Sequence, residues 1–259
     1  MNIASLIDPV TAEGGPVTIS DADKWMQGRT LYGGASALVA YTAVQRAFSD
    51  LPPLRAAQIG FVGPVGESFA IRREIVRQGR NVTQVRSELV GDKGVLLTAF
   101  WLFGEGREPN AVRSAEPPSD WPSSPDDADN AMHEQAPAFV AENFELRRAQ
   151  VERDADKPVV RRWARLTDRG TLDPVSTVIL MGDVLPPAAM RAMQRPGPLS
   201  SINWSFNLLG TAPTTTGGWW LAETACQHAD AGYSSERLRF WNTEGRQVLD
   251  GMQSAAIFG

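Results

Sequence analysis

The sequence predicts an α+β fold in two tandem halves, each a curved antiparallel sheet wrapped around a long central helix. Three observations carry this. Ala35 to Phe48 is free of Gly and Pro and apolar almost all round, so it reads as a buried helix. Runs rich in β-branched residues, spaced by turn residues, follow it. The same plan returns after residue 136, and the blocks end alike, Phe100-Trp101-Leu102-Phe103-Gly104 against Ala255-Ala256-Ile257-Phe258-Gly259. That is the mark of an internal duplication. The length of 259 residues fits one to two domains at ~150 residues each.

The elements follow in order. Val17 to Ser20 is a short strand, and a loop runs from Trp25 to Gly33-Gly34. The helix Ala35 to Phe48 is stopped by Pro52-Pro53. Phe69 to Val76, Val82 to Val90 and Val95 to Phe103 form a meander, turned at Gln78 to Asn81 and Gly91 to Gly94. The last of these is apolar enough for burial on both faces. Residues 105–136 are rich in Pro, Ser, Asp and Glu and read as a linker between units 1–104 and 137–259. In the second unit, Phe139 to Arg148 and Val159 to Leu166 read as strands. Asp183, ahead of Leu185-Pro186-Pro187, reads as the N-cap of a helix from Leu185 to Met193. Ile202 to Leu208, Trp219 to Ala229, Ser235 to Trp241 and Val248 to Phe258 repeat the meander.

Composition narrows the chemistry. Twenty-five Lys and Arg against 30 Asp and Glu give a net charge of −5, which argues against a nucleic-acid or anionic-membrane partner. No uncharged apolar run reaches ~18 residues, and the start lacks a basic segment before an apolar core, so neither a membrane span nor a signal peptide is expected. The single Cys226 cannot form an intrachain disulfide, which points to the cytoplasm. With only His133 and His228, a histidine-rich zinc site is excluded, and no CxxC replaces it. No GxSxG elbow, dinucleotide loop or GxxxxGK[ST] occurs, so no cofactor and no metal are expected. His228 reads as a satisfied structural residue, His133 as solvated and Cys226 as a small buried hydrophobe. Arg72, Arg73, Arg77, Arg80 and Arg86 read as an exposed strand face.

Five segments resemble one family, the type II acyl-CoA thioesterases, built as double hotdogs. Leu31-Tyr32-Gly33-Gly34-Ala35 resembles the family's Phe-Gly-Gly opening of its first helix. Gly79 to Arg86 resembles its DGRSFSTRRV strand, and Met181-Gly182-Asp183 its Ser-Asp at the second helix. Ser201-Ile202-Asn203-Trp204-Ser205 resembles its Thr/Ser-Ile/Leu-Asp-His-Ser, and Val248 to Gln253 its terminal Val-Ala-Ser-x-x-Gln. The chain departs from the pattern at Asn203-Trp204, where the family has Asp-His, and at Leu208-Leu209, where it has Arg-Pro.

The resemblance implies hydrolysis of an acyl-CoA to free acid and CoA by a water held by Asp183, Ser201 and Gln253. Gly33 and Gly34, ahead of the first helix, would offer backbone N–H groups to the carbonyl oxygen. Such chemistry needs a base, an orienter and an oxyanion site, and no histidine or metal. Each residue also has a plain structural role. Asp183 reads as a cap, whose charge the helix would stabilise and whose pKa would fall. Ser201 reads as a strand hydroxyl bonded to backbone, Gln253 as a solvent-facing amide, and the glycines as a tight turn. A double hotdog already pairs its two halves, and relatives of this kind often assemble further through exposed sheet edges, so the sequence allows both a monomer and a homo-oligomer. The alternatives are a non-catalytic acyl-CoA or lipid binder on the same scaffold, a hotdog hydratase, whose D-x-N-x-x-H pattern is absent, and a pure assembly protein.

Overall fold

A computed structural model describes residues 3–134, 136–150, 156–168 and 172–258. The outer ends of the expected division, Met1 and Gly259, lie outside these. The first half runs α1 (Ala4–Ile7), β1 (Gly15–Thr18), a 3-10 turn (Ala22–Trp25), β2 (Met26–Gln27), β3 (Thr30–Leu31) and α2 (Gly33–Ala47). Then come β4 (Leu54–Phe61), β5 (Ser68–Gln78), β6 (Val82–Gly91) and β7 (Gly94–Gly104). The second half holds α3 (Ala138–Asn143), β8 (Phe144–Arg148), β9 (Val159–Leu166), α4 (Pro174–Met181) and a 3-10 turn (Ala188–Arg191). It closes with β10 (Leu199–Leu208), β11 (Trp220–Asp230), β12 (Tyr233–Trp241) and β13 (Gln247–Ile257).

One antiparallel sheet of 11 strands has the order β1-β5-β6-β7-β4-β10-β13-β12-β11-β9-β8, beside the small β2–β3 hairpin. The order is nearly symmetric about its middle. Each half supplies a helix and then four strands, and the halves join where β4 pairs with β10, Ile59 opposite Trp204. That seam turns two edges into interior strands and leaves β1 and β8 at the rims. β4 carries no clear mark in the sequence. Its Leu-Arg-Ala-Ala-Gln-Ile-Gly-Phe lacks β-branched alternation, and pairing on both sides supplies what propensity does not.

α2 is buried nearly all round, as its composition requires. Leu38, Val39 and Val44 pack against inner-face residues such as Val85, Leu89 and Trp101. Each such side chain contributes ~1.5–3 kcal/mol on leaving water. The Arg46 guanidinium donates to the Ile7 carbonyl at 2.7 Å and to that of Val10, which ties the first turn of chain to the helix end.

The second half departs from expectation in three places. The expected strand Phe139 to Arg148 divides into α3 and β8. Pro137 starts the helix, and Asn143 ends it by donating to the Phe139 and Lys24 carbonyls at 2.9 and 2.7 Å. The helix expected at Leu185 to Met193 is only one 3-10 turn, Ala188–Arg191, which starts after Pro187. The true helix is α4, whose cap stands ten residues before Asp183. Asp173 caps it, accepting from the Val175 and Ser176 amides at 2.9 and 3.0 Å, with Pro174 at its first position. The two-residue strands β2 and β3 also fall where a loop is expected.

Residues 105–136 carry no helix or strand among the described residues, apart from one bridge, Asn130 to Arg147. They pack nonetheless. Trp121 stands edge-on to Trp163 and Trp241, at 5.7 and 6.5 Å between ring centres, over the outer face of the second half. Asp120 pairs with Arg161 at 2.8 Å, and Arg161 pairs with the buried Glu223 at 2.6 Å. The segment is a strap as much as a connection.

Candidate functional site

α2 and α4 run antiparallel and touch closely at one end. Gly34 faces the Leu180 carbonyl, and a Cβ at Gly34 would lie 2.1 Å from that oxygen. Tyr32, the residue before α2, is fully buried and donates its hydroxyl to the same Leu180 carbonyl at 2.6 Å. α4 ends at Gly182, and Asp183 therefore emerges beside the N-terminus of α2.

Asp183 is not the N-cap that the sequence suggests. It follows a helix C-terminus, and the next amide, Val184, is already bonded to the Met181 carbonyl at 3.0 Å. The amides after Asp183 thus open no helix. The electrostatic consequence also reverses. Burial pushes the Asp183 carboxyl up to about 7, and a hydrogen bond from Gln253 opposes that rise. Burial, and then the nearby Asp183 charge, likewise drive the Tyr32 hydroxyl well above its ordinary value, so it stays protonated.

Gln253 lies on β13 and is 1% exposed, so its amide does not face water. Its Nε2 donates to Asp183 Oδ1 at 2.7 Å. The other carboxylate oxygen, Oδ2, lies against Gly33, where a Cβ would come within 2.2 Å of it. Phe61 of β4 flanks the same glycine. Gly33 and Gly34 are the first two residues of α2, and neither has a positive φ. They are small because oxygen atoms crowd them, not because a turn needs them. Tyr32 gives α2 no side-chain cap, and the first intrahelical bond runs from the Ser36 amide to the Tyr32 carbonyl. The N–H groups of Gly33, Gly34 and Ala35 have no partner within the helix.

Ser201 is on β10, opposite Ala255, just before a bulge at Ile202. Ala255 and Gln253 share the inner face of β13. Ser201 therefore belongs to that face, one row beyond the Trp204–Gln253 pair. Among the described residues its hydroxyl makes no hydrogen bond to Asp183 or Gln253. The structure thus brings Asp183, Gln253, Gly33 and Gly34 together and puts Ser201 nearby without a direct bond.

Three neighbours carry roles that the sequence did not assign, two of them, Tyr32 and Trp204, inside the quoted motifs. Tyr32 supports the floor of the site. Trp204 is fully buried, and its ring edge fills the space above Gly182. Glu236, opposite Gln253 on β12, is buried and accepts from the Ala188 and Ala189 amides at 2.9 and 3.2 Å, anchoring the turn after Asp183. For the last, the only sequence signal was a Glu in alternating step with the apolar Leu238 and Phe240 on the strand Ser235 to Trp241.

The remaining side chains lie elsewhere. His228 is exposed, so it is not a core histidine, because a bulge after Cys226 carries the end of β11 out of the core. His133 is exposed. Cys226 is only partly buried, its thiol pushed up to about 11 by burial and by Glu236. Arg72, Arg77, Arg80 and Arg86 are exposed and Arg73 partly so. Among the described residues no three His, Cys, Asp or Glu side chains are placed to hold a metal ion, and no helix is long and apolar enough to cross a membrane.

Two family profiles match this chain. An acyl-CoA thioesterase N-terminal domain matches residues 21–104, and an acyl-CoA thioesterase C-terminal domain matches residues 112–257. A search of curated proteins finds no match. Among solved structures, a hot dog fold protein from Alicyclobacillus acidocaldarius is similar at a TM-score of 0.80 and 18% identity, over 94% of this chain and 92% of that one. An acyl-CoA thioesterase II from Mycobacterium marinum is similar at 0.76 and 15%, over 98% and 97%. The tesB protein of Mycobacterium avium subspecies paratuberculosis is similar at 0.74 and 17%, over all of both chains. At these identities the structures speak for the fold and the profiles for the family. The chain belongs to the acyl-CoA thioesterase family and is folded as a double hotdog.

Proposed function

We propose that the protein hydrolyses an acyl-CoA thioester to the free acid and CoA at Asp183. The observation that carries this is the bond from Gln253 Nε2 to Asp183 Oδ1, made beside the open N-terminus of α2. A carboxyl held near pH 7 is matched to general-base work at neutral pH. Asp183 takes a proton from water as the water oxygen bonds to the thioester carbonyl carbon. Gln253 and Ser201 orient that water. The N–H groups of Gly33 and Gly34 stabilise the oxyanion, helped by the helix dipole. Collapse breaks the C–S bond, and the departing CoA sulfur takes the proton back from Asp183.

The same reading divides the chain into hotdogs at 1–104 and 137–259 with 105–136 between them. It places the enzyme in cytoplasmic fatty-acid metabolism, working without cofactor or metal. The rims β1 and β8 are the edges through which copies would assemble into a homo-oligomer. Thiol release from a panel of short, medium, long and aromatic acyl-CoAs tests the function. Saturable turnover on any member is expected. Folded protein that binds the esters and releases no thiol would make this a carrier instead.

A further inference from the structure

Two buried polar atoms beside Asp183 have no partner among the described residues: Gln253 Oε1 and Trp204 Nε1. Such atoms are rare in folded chains and ask for an explanation. These two sit on directly opposed residues of β13 and β10. Trp204 is 0% exposed and Gln253 1%. The indole is held in place, with its ring tilted on Phe206 at 4.6 Å and its edge over Gly182, where a Cβ would lie 2.3 Å from Cζ2. An indole N–H can only donate, and an amide oxygen can only accept.

We infer that Trp204 is a positioning residue: its indole N–H holds Gln253 Oε1 and so turns Gln253 Nε2 toward Asp183. The inference rests on Asp183 as the base. The orphan pair is not bonded in the structure, and hydrogen bonds at catalytic sites commonly tighten only with substrate present. Ser234 Oγ is also buried without a partner, but it and Ser201 flank Ala255, one row beyond Gln253, whereas Trp204 is directly opposed to Gln253. Three other polar neighbours are committed. Tyr32 donates to the Leu180 carbonyl, Glu236 accepts from the Ala188 and Ala189 amides, and the Cys226 thiol faces the His228 carbonyl and Glu236. The consequence is electrostatic. A glutamine free to turn can offer its oxygen to a protonated Asp183 and hold it neutral, useless as a base. With Oε1 held by an obligate donor, only N–H faces the carboxyl, and the charged form is favoured.

The test is the pH profile of kcat, which reads the substrate-bound enzyme, for Trp204→Phe, which keeps a ring and removes the donor. The acid limb is expected to move up by about one pH unit, with a tenfold loss on the acid side and KM little changed at high pH. Indole nitrogen-15 NMR supplies a readout apart from activity. With both proteins saturated by a non-hydrolysable acyl-CoA thioether, the Trp204 indole proton of Gln253→Leu is expected to lie upfield of wild type and exchange faster. An unmoved acid limb in folded Trp204→Phe, or an unchanged indole signal in Gln253→Leu, overturns the inference. If Trp204→Phe does not fold, the indole signal decides alone. Full activity in Asp183→Asn would instead sink the base assignment, and the indole signal would still judge the bond.

Discussion

The two ends of the α2–α4 pair hold similar parts and use them differently. At one end, Asp183 sits against the N-terminus of α2. At the other, Asp173 sits at the N-terminus of α4, and a cavity of about 510 Å³ lies beside it, lined by Tyr41, Gln45, Arg46 and Ser176 among others. Asp173 is spent on structure. Its Oδ1 accepts from two amides and its Oδ2 meets the Ser176 hydroxyl at 2.5 Å. Asp183 belongs to a different element from the helix it faces, and among the described residues its one side-chain bond comes from a sheet residue. A helix N-terminus closed by its own cap is a stable start. One left uncapped beside a carboxyl from the other half is a place where a substrate oxygen can be received. The near-symmetry of the fold brings both aspartates to helix starts, and the sequence around each decides which is available for chemistry.

Substitutions at the two ends should separate accordingly. Gln253→Ala is expected to lower turnover by about 10², because Asp183 loses its one side-chain partner and the water its orienter. Gly33→Ala should cost a similar factor or somewhat less, since the new methyl must displace Asp183 Oδ2. Steady-state kinetics on the best acyl-CoA checks both. A Gly33→Ala enzyme as fast as wild type would mean that the close approach of Asp183 to α2 is not used.

Stability should move the other way at the Asp183 end. The folded carboxyl at about 7 lies above its unfolded value of 3.8, so the folded chain holds a proton there that the unfolded chain has lost. Stability is therefore fully present below pH ~4 and declines as pH rises toward 7. Asp183→Asn removes that penalty and is expected to stabilise the fold by on the order of 2–4 kcal/mol at pH 8 and by little at pH 4. Urea melts at the two pH values check it, and equal effects at both would contradict a raised carboxyl. Asp173→Ala gives the smallest change: about 1 kcal/mol of stability lost with the cap, and turnover near wild type. A large loss of turnover in that variant would place chemistry at the wrong end.

Much of this was legible in the residues. Ala35 to Phe48 announces a buried helix by composition, and the meanders announce themselves by β-branched runs between turns. The duplication follows from order alone. β4 was hidden because its strand character comes from pairing with β7 and β10, which local propensity does not contain. α4 was hidden behind a stronger-looking signal. Asp183 before two prolines imitates a helix start, while the working start, Asp173-Pro174, stood ten residues earlier. That one misplacement inverted the expected charge behaviour of Asp183. The site residues themselves came from family resemblance. Spacing could not show that residues 33, 183 and 253 meet, because their meeting depends on the seam between halves. Ser201 fell on the right face without falling into contact.

The most direct measurement is kcat/KM of Asp183→Asn against wild type on an acyl-CoA that the wild type hydrolyses, followed by thiol release across pH. Wild-type activity should rise with pH through about 7 as Asp183 ionises, and the variant should fall by roughly 10²–10⁴ and lose that rise. A folded Asp183→Asn enzyme within a few-fold of wild type, with the same pH profile, would contradict the assignment of the base and the site built around it.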